Sequence, residues 1–394
     1  MHLNTEILNT EIQEFISDNL KTEVSKILLK GTNFGTVSTK EIIEQIEAKT
    51  KCKKKLPTWF SSEKIYYPSK LNIEQTSSEV TANHKAKLFT GNSIIDITGG
   101  FGVDCFYFSK HFDTVTHCEI NEKLSAQVSY NYTQLKVGNI TTINSNGIAF
   151  LLSKTDTYDW IFVDPSRRHK SKGKVFFLKD CLPNIPQHLD ILFERAKNIA
   201  IKTSPLLDLS IGINELKHVK DIHIIAVKNE VKELLWILES NYENEITINT
   251  ANISENNIET FSFQLKSESI SNVIYSNPLK YLYEPNAAIL KSGAFNSVSK
   301  QLEVSKLHQH SHLYTSDELI TFPGRSFKIE TIIDYNKKVL KALSLSKANI
   351  TTRNFPETVQ QIRQKHRIKE GGNTYIFFTT NYLNKKIVII CVKA

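Results

Sequence analysis

From Ser93 to Val227 the chain keeps one rhythm. A short apolar segment is followed by a polar turn, then by an amphipathic segment, then by the next short apolar run. Strands are expected at Ser93–Ile97, Thr114–Cys118, Ile140–Asn144, Trp160–Val163, Ile199–Lys202 and Ile222–Val227. Helices are expected at Val103–Lys110, Glu122–Leu135 and Leu189–Lys197. Short strands joined by helices impose a mostly parallel sheet covered on both faces. Ligands of such sheets bind outside the carboxyl ends of the strands.

The flanks read differently. Residues 1–60 show helical spacing at Ile7, Leu8, Ile12, Phe15 and Ile16, and again at Val24, Ile27 and Leu28. Ser38-Thr39-Lys40-Glu41 has the form of a capping box for a helix to about Lys49. Pro57 and Pro68 break the chain. Glu230–Glu239 fits a helix or a strand, and Glu245–Asn249 with Thr260–Leu265 reads as an antiparallel pair. A polar, Ser-rich stretch sets a boundary near 270–280. Beyond it Ala287–Ile289 and Phe295–Leu307 read as helical. The last segment, from about 321, holds strands at Lys328–Asp334, Thr374–Thr379 and Lys386–Val392 and helices at Lys337–Leu345 and Phe355–Lys365.

Several classes are excluded. A chain of 394 residues is too long for one small core. Five cysteines do not make a disulfide scaffold, and no apolar run reaches the 18 or so residues of a membrane span. Met1–Thr10 carries Glu6 and lacks a signal-peptide pattern, so a cytoplasmic protein is expected. The charge is uneven. Phe322–Ala394 holds fourteen Lys or Arg against four Asp or Glu, a net +10, whereas the whole chain is +8. A smaller basic run lies at Lys49, Lys51, Lys53, Lys54 and Lys55. A concentrated positive field suits a phosphate backbone; the plain alternative is a solubilising surface.

The chemistry-bearing residues fall at strand ends. Asp96-Ile97-Thr98-Gly99-Gly100-Phe101-Gly102-Val103-Asp104 joins the first strand to the first helix. Its glycines allow a tight turn and a close backbone approach, but Asp96 and Asp104 would repel a pyrophosphate and attract a cationic ligand. Glu119 closes the second strand, where a carboxylate can accept both hydroxyls of a ribose. Asn146 follows the third, within reach of an adenine edge, although Asn-Gly is also a common turn pair. Asp164-Pro165-Ser166-Arg167-Arg168 ends the fourth, with an exposed acid to hold a planar nitrogen donor and two arginines for phosphate. The loop Thr203–Asp208 is either a lining of that acceptor site or a plain turn.

With these residues the chain resembles the class I S-adenosylmethionine-dependent methyltransferases, and within them the bacterial family that carries a small ferredoxin-like module and a THUMP-like C-terminal domain. Leu71–Leu88 is similar to the segment that leads into that family's catalytic domain. Arg353-Asn354-Phe355-Pro356, Ile362-Arg363-Gln364-Lys365 and Lys369-Glu370-Gly371-Gly372 follow the THUMP-like pattern. The resemblance implies an α/β fold: a Rossmann-like seven-stranded sheet with one antiparallel strand, a helical N-terminal region and small α+β C-terminal domains. The implied divisions are 1–70, 71–272, 273–320 and 321–394. S-adenosylmethionine is the implied cofactor, held by Asp96, Thr98, Gly100, Gly102, Asp104, Glu119, Asn146 and Asp164, with Asp164 and Pro165 at the reacting nitrogen. Thr98 stands where the first glycine of the loop is usual. Asp164–Arg168 lacks the second proline and the aromatic residue of the N6-adenine and N2-guanine enzymes. RNA is the implied partner, met by Arg167, Arg168, Arg353, Arg363, Lys365 and Lys369, with no membrane and no obligatory metal. The competing readings are a methyltransferase of a small molecule or protein and a non-catalytic RNA-binding protein that keeps the cofactor fold.

Three further features are weighed against chemistry. Cys105, Cys118 and Cys181 read as structural rather than as nucleophiles. His308, His310 and His312 would share a face on a strand and so suit a metal, but no Cys or acidic residue sits at ligand spacing. Trp59 and Phe60 beside the Lys49–Lys55 run have the form of a base-stacking pair, although such pairs are more often core.

Overall fold

The computed structural model describes residues 3–167, 177–336 and 346–394. The chain divides into two compact units: residues 1–220 with 233–243, and residues 221–232 with 244–394.

The first unit opens with helices Thr10–Asp18, Val24–Lys30 and Thr39–Lys55, packed around Ile7, Ile12, Ile16, Ile27, Ile42 and Ile46. Ser38 and Glu41 form the expected capping box, which starts the third helix. That helix continues past Lys49 to Lys55, so Lys53, Lys54 and Lys55 fall in its last turn, where cations oppose the negative end of the helix dipole. Lys51 pairs with Glu74 at 3.2 Å, and Lys55 donates to the Glu74 carbonyl at 2.8 Å. Burial pulls the Lys55 amine down to about 8. Lys51 and Lys55 of this basic run thus have partners within the unit. Trp59 is fully buried beside Phe106, which makes it core and not a stacking platform.

The sheet of this unit is built from β1 (Ser93–Asp96), β2 (Thr114–Glu119), β3 (Ile140–Asn144), β4 (Tyr158–Val163) and β5 (Ala196–Thr203). β6 (Val219–Val227) and β7 (Glu230–Glu239) follow in the chain. The order is β3-β2-β1-β4-β5-β7. β1 to β5 are parallel, and β7 runs antiparallel to β5. Ile94, Ile95, Ile161, Phe162, Val163, Ile199 and Ile201 are wholly buried, as expected of strands covered on both faces. Five parallel strands and one antiparallel strand thus make up the sheet of this unit, and Glu230–Glu239 resolves as a strand. The reason lies just before it. Lys228 and Asn229 both have positive φ, +51° and +62°, the geometry that returns a strand directly upon itself.

In the second unit β6 pairs in parallel with β8 (Thr247–Ile253), and β8 pairs antiparallel with β9 (Ile258–Gln264). A separate seven-stranded sheet follows. Its strands are β10 (Tyr281–Pro285), β11 (Ser305–Lys306), β12 (Tyr314–Ser316), β13 (Gly324–Asp334), β14 (Asn349–Arg353), β15 (Tyr375–Thr380) and β16 (Lys386–Lys393). They lie in the order β11-β12-β10-β13-β16-β15-β14. β15 and β16 form the expected hairpin. The helix expected from Phe295 ends at Gln301 and gives way to β11, and the one expected from Phe355 begins only at Val359, capped by Thr358. The helix expected at Lys337–Leu345 lies outside the described residues. Among the described residues no helix is long and apolar enough to cross a membrane.

Candidate functional site

The turn after β1 is held by side chains that the strands bring together. Asp96 is buried, and its Oδ1 accepts from the Thr98 amide at 2.8 Å and from the Thr98 hydroxyl at 3.0 Å. Gly99 N–H donates to the Cys118 carbonyl of β2 at 2.8 Å, and Gly102 N–H donates to the Gly99 carbonyl at 2.9 Å. Gly100 and Gly102 lie in the left-handed region, at φ +53° and +75°. A Cβ at Gly102 would sit 2.1 Å from the Tyr132 hydroxyl, which itself donates to the Gly102 carbonyl at 2.9 Å. Sterics and conformation both demand glycine there.

Three more strand ends converge on this turn. Glu119, at the end of β2, accepts the Gly100 amide on Oε2 at 2.9 Å and the Asn121 amide on Oε1 at 2.7 Å. Asp164 follows β4, and its amide donates to Thr98 Oγ1 at 2.7 Å. One hydroxyl thus ties the Asp96 carboxylate to the backbone of Asp164. The Asp164 Oδ2 lies 2.5 Å from the ammonium of Lys202, near the end of β5. Pro165 is buried behind this corner. Ser166 and Arg167 pair by backbone with Cys181 and Leu182. Arg168 and the side chain of Arg167 lie outside the described residues. Burial pushes the Asp96 carboxyl up to about 7, helped by the nearby charges of Asp104 and Asp164 and opposed by Thr98. Partial burial also raises Asp164, against the pull of Lys202.

Asp104 goes elsewhere. Its carboxylate faces a buried polar cluster. Ser77 Oγ donates to Asp104 Oδ2 at 2.7 Å, and Lys85 Nζ lies 3.1 Å from Oδ1. Lys85 also pairs with Glu233 of β7 at 2.5 Å and donates to Ser77 at 3.0 Å. Lys202 reaches the same Ser77 hydroxyl at 3.2 Å. Burial alone would raise the Asp104 carboxyl, but Lys85 and Lys202 hold it below the ordinary range. The Lys202 amine moves upward, because Asp164, Asp104 and Glu233 outweigh its own desolvation. Sequence reasoning missed Lys85, Lys202 and Glu233. The available signal was a lysine inside the apolar run Ile199–Lys202, together with the polar Leu71–Leu88 segment that holds Ser77 and Lys85.

Other expected residues sit as follows. Asn146 is exposed and caps the helix Gly147–Ser153, accepting from Ala149 N–H at 3.1 Å, so its amide oxygen is engaged. The Thr203–Asp208 loop leaves Leu206 exposed, and Asp208 caps the next helix. In the second unit Arg353 is paired to the buried Glu284 through Nε at 3.1 Å and Nη2 at 2.9 Å, and Glu284 also binds Arg325. Arg363 donates to the carbonyls of Ala348 and Ile368, each at 3.3 Å. Lys365 is held by Glu357 at 2.9 Å and by the Tyr335 hydroxyl at 2.7 Å. Three of the four expected cations of this unit therefore have partners within the protein, while Lys369 is exposed. The histidines do not share a strand face. His308 bonds Asn384 and Asn354, and His312 stacks on Phe295 with ring centres 3.5 Å apart. Among the described residues no group of three or more His, Cys, Asp or Glu is placed to hold a metal ion.

The parallel sheet and the acids gathered at its strand ends define a Rossmann-like scaffold. Two family profiles match the chain: a ferredoxin-like domain over residues 281–323 and a THUMP domain-like profile over 324–393. The crystal structure of a candidate methyltransferase from Porphyromonas gingivalis W83 is similar over the whole of both chains, at 31% identity and a TM-score of 0.90. The chain belongs to that methyltransferase family with ferredoxin-like and THUMP-like C-terminal domains. Two smaller proteins are distant likenesses. The candidate methyltransferase YhhF of Escherichia coli is 22% identical over 41% of this chain and 85% of its own, with a TM-score of 0.30. SMU.1697c of Streptococcus mutans, a candidate methyltransferase solved with S-adenosylhomocysteine, is 15% identical over 41% of this chain and 96% of its own, also at 0.30. No curated protein matches the chain.

Proposed function

We propose that this protein is an S-adenosylmethionine-dependent methyltransferase that modifies a base nitrogen of RNA, in tRNA or rRNA. The observation that carries the reading is the Glu119–Gly100 contact beside the Thr98 bridge, which gathers the ends of β1, β2 and β4 at one glycine turn. The donor set fits the group. Each Glu119 oxygen accepts one backbone amide and, if ionised, keeps lone pairs for the two hydroxyls of a ribose. At Gly100 an added Cβ would meet nothing nearer than the Thr98 carbonyl at 3.8 Å, so the turn is not crowded there.

Bound S-adenosylmethionine supplies an electrophilic methyl group on a sulfonium sulfur. The protein's part is to align the acceptor, and positioning accounts for much of such a rate. With Oδ2 held by Lys202, Asp164 offers Oδ1 to an acceptor N–H, orienting the nitrogen and accepting the proton that it gives up on methylation, which then passes to water. A base used as acceptor must be unstacked or already single-stranded. The basic excess beyond Phe322 and the THUMP domain-like match support RNA over a small acceptor.

Calorimetric titration with S-adenosylmethionine tests the cofactor, and mass analysis of modified nucleosides in RNA from cells lacking the protein tests the substrate. Glu119→Ala should weaken S-adenosylmethionine binding by about 10- to 150-fold, the loss of one or two charge-assisted hydrogen bonds at about 1.5 kcal/mol each. Equal affinity in the variant removes Glu119 from the site, and no heat of binding in the unaltered protein removes the cofactor.

A further inference from the structure

We propose that Lys202 is a positioning residue for the reaction. It pins one carboxylate oxygen of Asp164 and leaves the other to the acceptor, while the Ser77–Lys85–Asp104–Glu233 cluster behind it keeps Lys202 in place. The inference rests on the methyltransferase reading and deepens it.

The pair is lopsided. The Asp164 side chain is 34% exposed and that of Lys202 is 8% exposed, so one end of the ion pair is open at the strand terminus and the other is sealed in the unit. The sealed end is anchored. Lys202 donates to Ser77 Oγ at 3.2 Å, and that oxygen also receives Lys85 at 3.0 Å and donates to Asp104 at 2.7 Å. Glu233, at 2.5 Å from Lys85, closes the cluster. Buried ion pairs are poor stabilisers, because a well-packed apolar substitute does as well or better. A cluster kept for stability alone would have no reason to end on a half-exposed carboxylate. This one ends on the acid at the strand terminus, whose backbone is fixed independently by Thr98. Two anchors, one on the main chain and one on the side chain, leave Asp164 little freedom to rotate. That is what an orienting acceptor requires.

Among the described residues the charged groups around Asp164 are Lys202, Asp104 and Lys85 from the cluster and Asp96 from β1. Of these, Lys202 lies within ion-pairing distance. The test uses the full chain labelled with carboxyl-13C aspartate, the Asp164 signal being assigned by its loss in Asp164→Asn. Lys202→Met should raise the Asp164 titration midpoint by more than one pH unit, and Lys202→Arg should leave it within half a unit. The same two variants should bind S-adenosylmethionine within about threefold of the unaltered protein. In methyl transfer to bulk RNA from cells lacking the protein, Lys202→Met should lower kcat by about 100-fold with little change in KM, and Lys202→Arg should restore most of it. An unmoved midpoint in folded Lys202→Met overturns the proposal, as does a loss that appears in KM alone. Where Lys202→Met does not fold, Lys202→Gln drops the charge while keeping a donor and carries the same test. If the unaltered protein binds S-adenosylmethionine but leaves this RNA unlabelled, the RNA reading fails, and the titration still decides the role of Lys202.

Discussion

Replacing Asp164 with alanine is expected to cut methyl transfer by about 10³-fold or more while S-adenosylmethionine binds within about threefold of its original affinity. Orientation and proton handling by one positioned acid are worth about 10²–10⁴-fold, and Asp164 lies beyond the Glu119–Gly100 contact proposed for the ribose. The substitution has a second effect. It leaves Lys202, nearly sealed from water, without its ion-pair partner, which destabilises the fold, though by less than in a fully buried pair because Asp164 is partly exposed and Ser77 still accepts from Lys202. Asp164→Asn separates the two effects, since it keeps an oxygen for Lys202 and removes the charge. The measurement is single-turnover transfer at saturating S-adenosylmethionine, beside a urea unfolding curve for each variant. Full turnover in folded Asp164→Asn would take the reacting acid out of the mechanism.

The second large effect is expected at Gly102. Alanine there would place a Cβ 2.1 Å from the Tyr132 hydroxyl and 2.9 Å from Val128 Cγ1, at φ +75°. The left-handed conformation costs about 1–2 kcal/mol for a residue with a side chain, and overpacking adds about 1–3 kcal/mol. Gly102→Ala should therefore lose about 2–5 kcal/mol. Gly100→Ala shares the backbone strain, at φ +53°, but makes only ordinary contact with the Thr98 carbonyl, and should lose only about 1–2 kcal/mol. Urea midpoints for the pair make the comparison. Equal losses would mean that packing against Tyr132 does not fix the turn.

Much of this site was legible because its signals are local. A glycine turn after a short apolar run, an acid at the end of the next strand and an Asp-Pro corner after the fourth each occupy a few consecutive residues. What escaped depends on distance along the chain. Lys85 meets Glu233 across 148 positions and Lys202 meets Ser77 across 125. Arg353 finds Glu284 across 69, which is why a basic motif that reads as ligand-binding proves to be paired inside its own unit. The partners of Asp104 were hidden for the same reason, since Ser77 and Lys85 precede it by 27 and 19 residues. The β7 segment defeated periodicity because Val231, Leu234, Leu235 and Leu238 satisfy helical spacing as well as a buried strand does.

The carboxylate of Glu284, gripped from two sides by Arg325 and Arg353, bears on any polyanion that meets the C-terminal unit. Together with Lys365 on Glu357, these arginines already have anionic partners, so at least three of the fourteen cations beyond Phe322 are partly neutralised before a nucleic acid arrives. Binding would then displace fewer counterions than the basic count implies, and affinity would fall less steeply as salt is added.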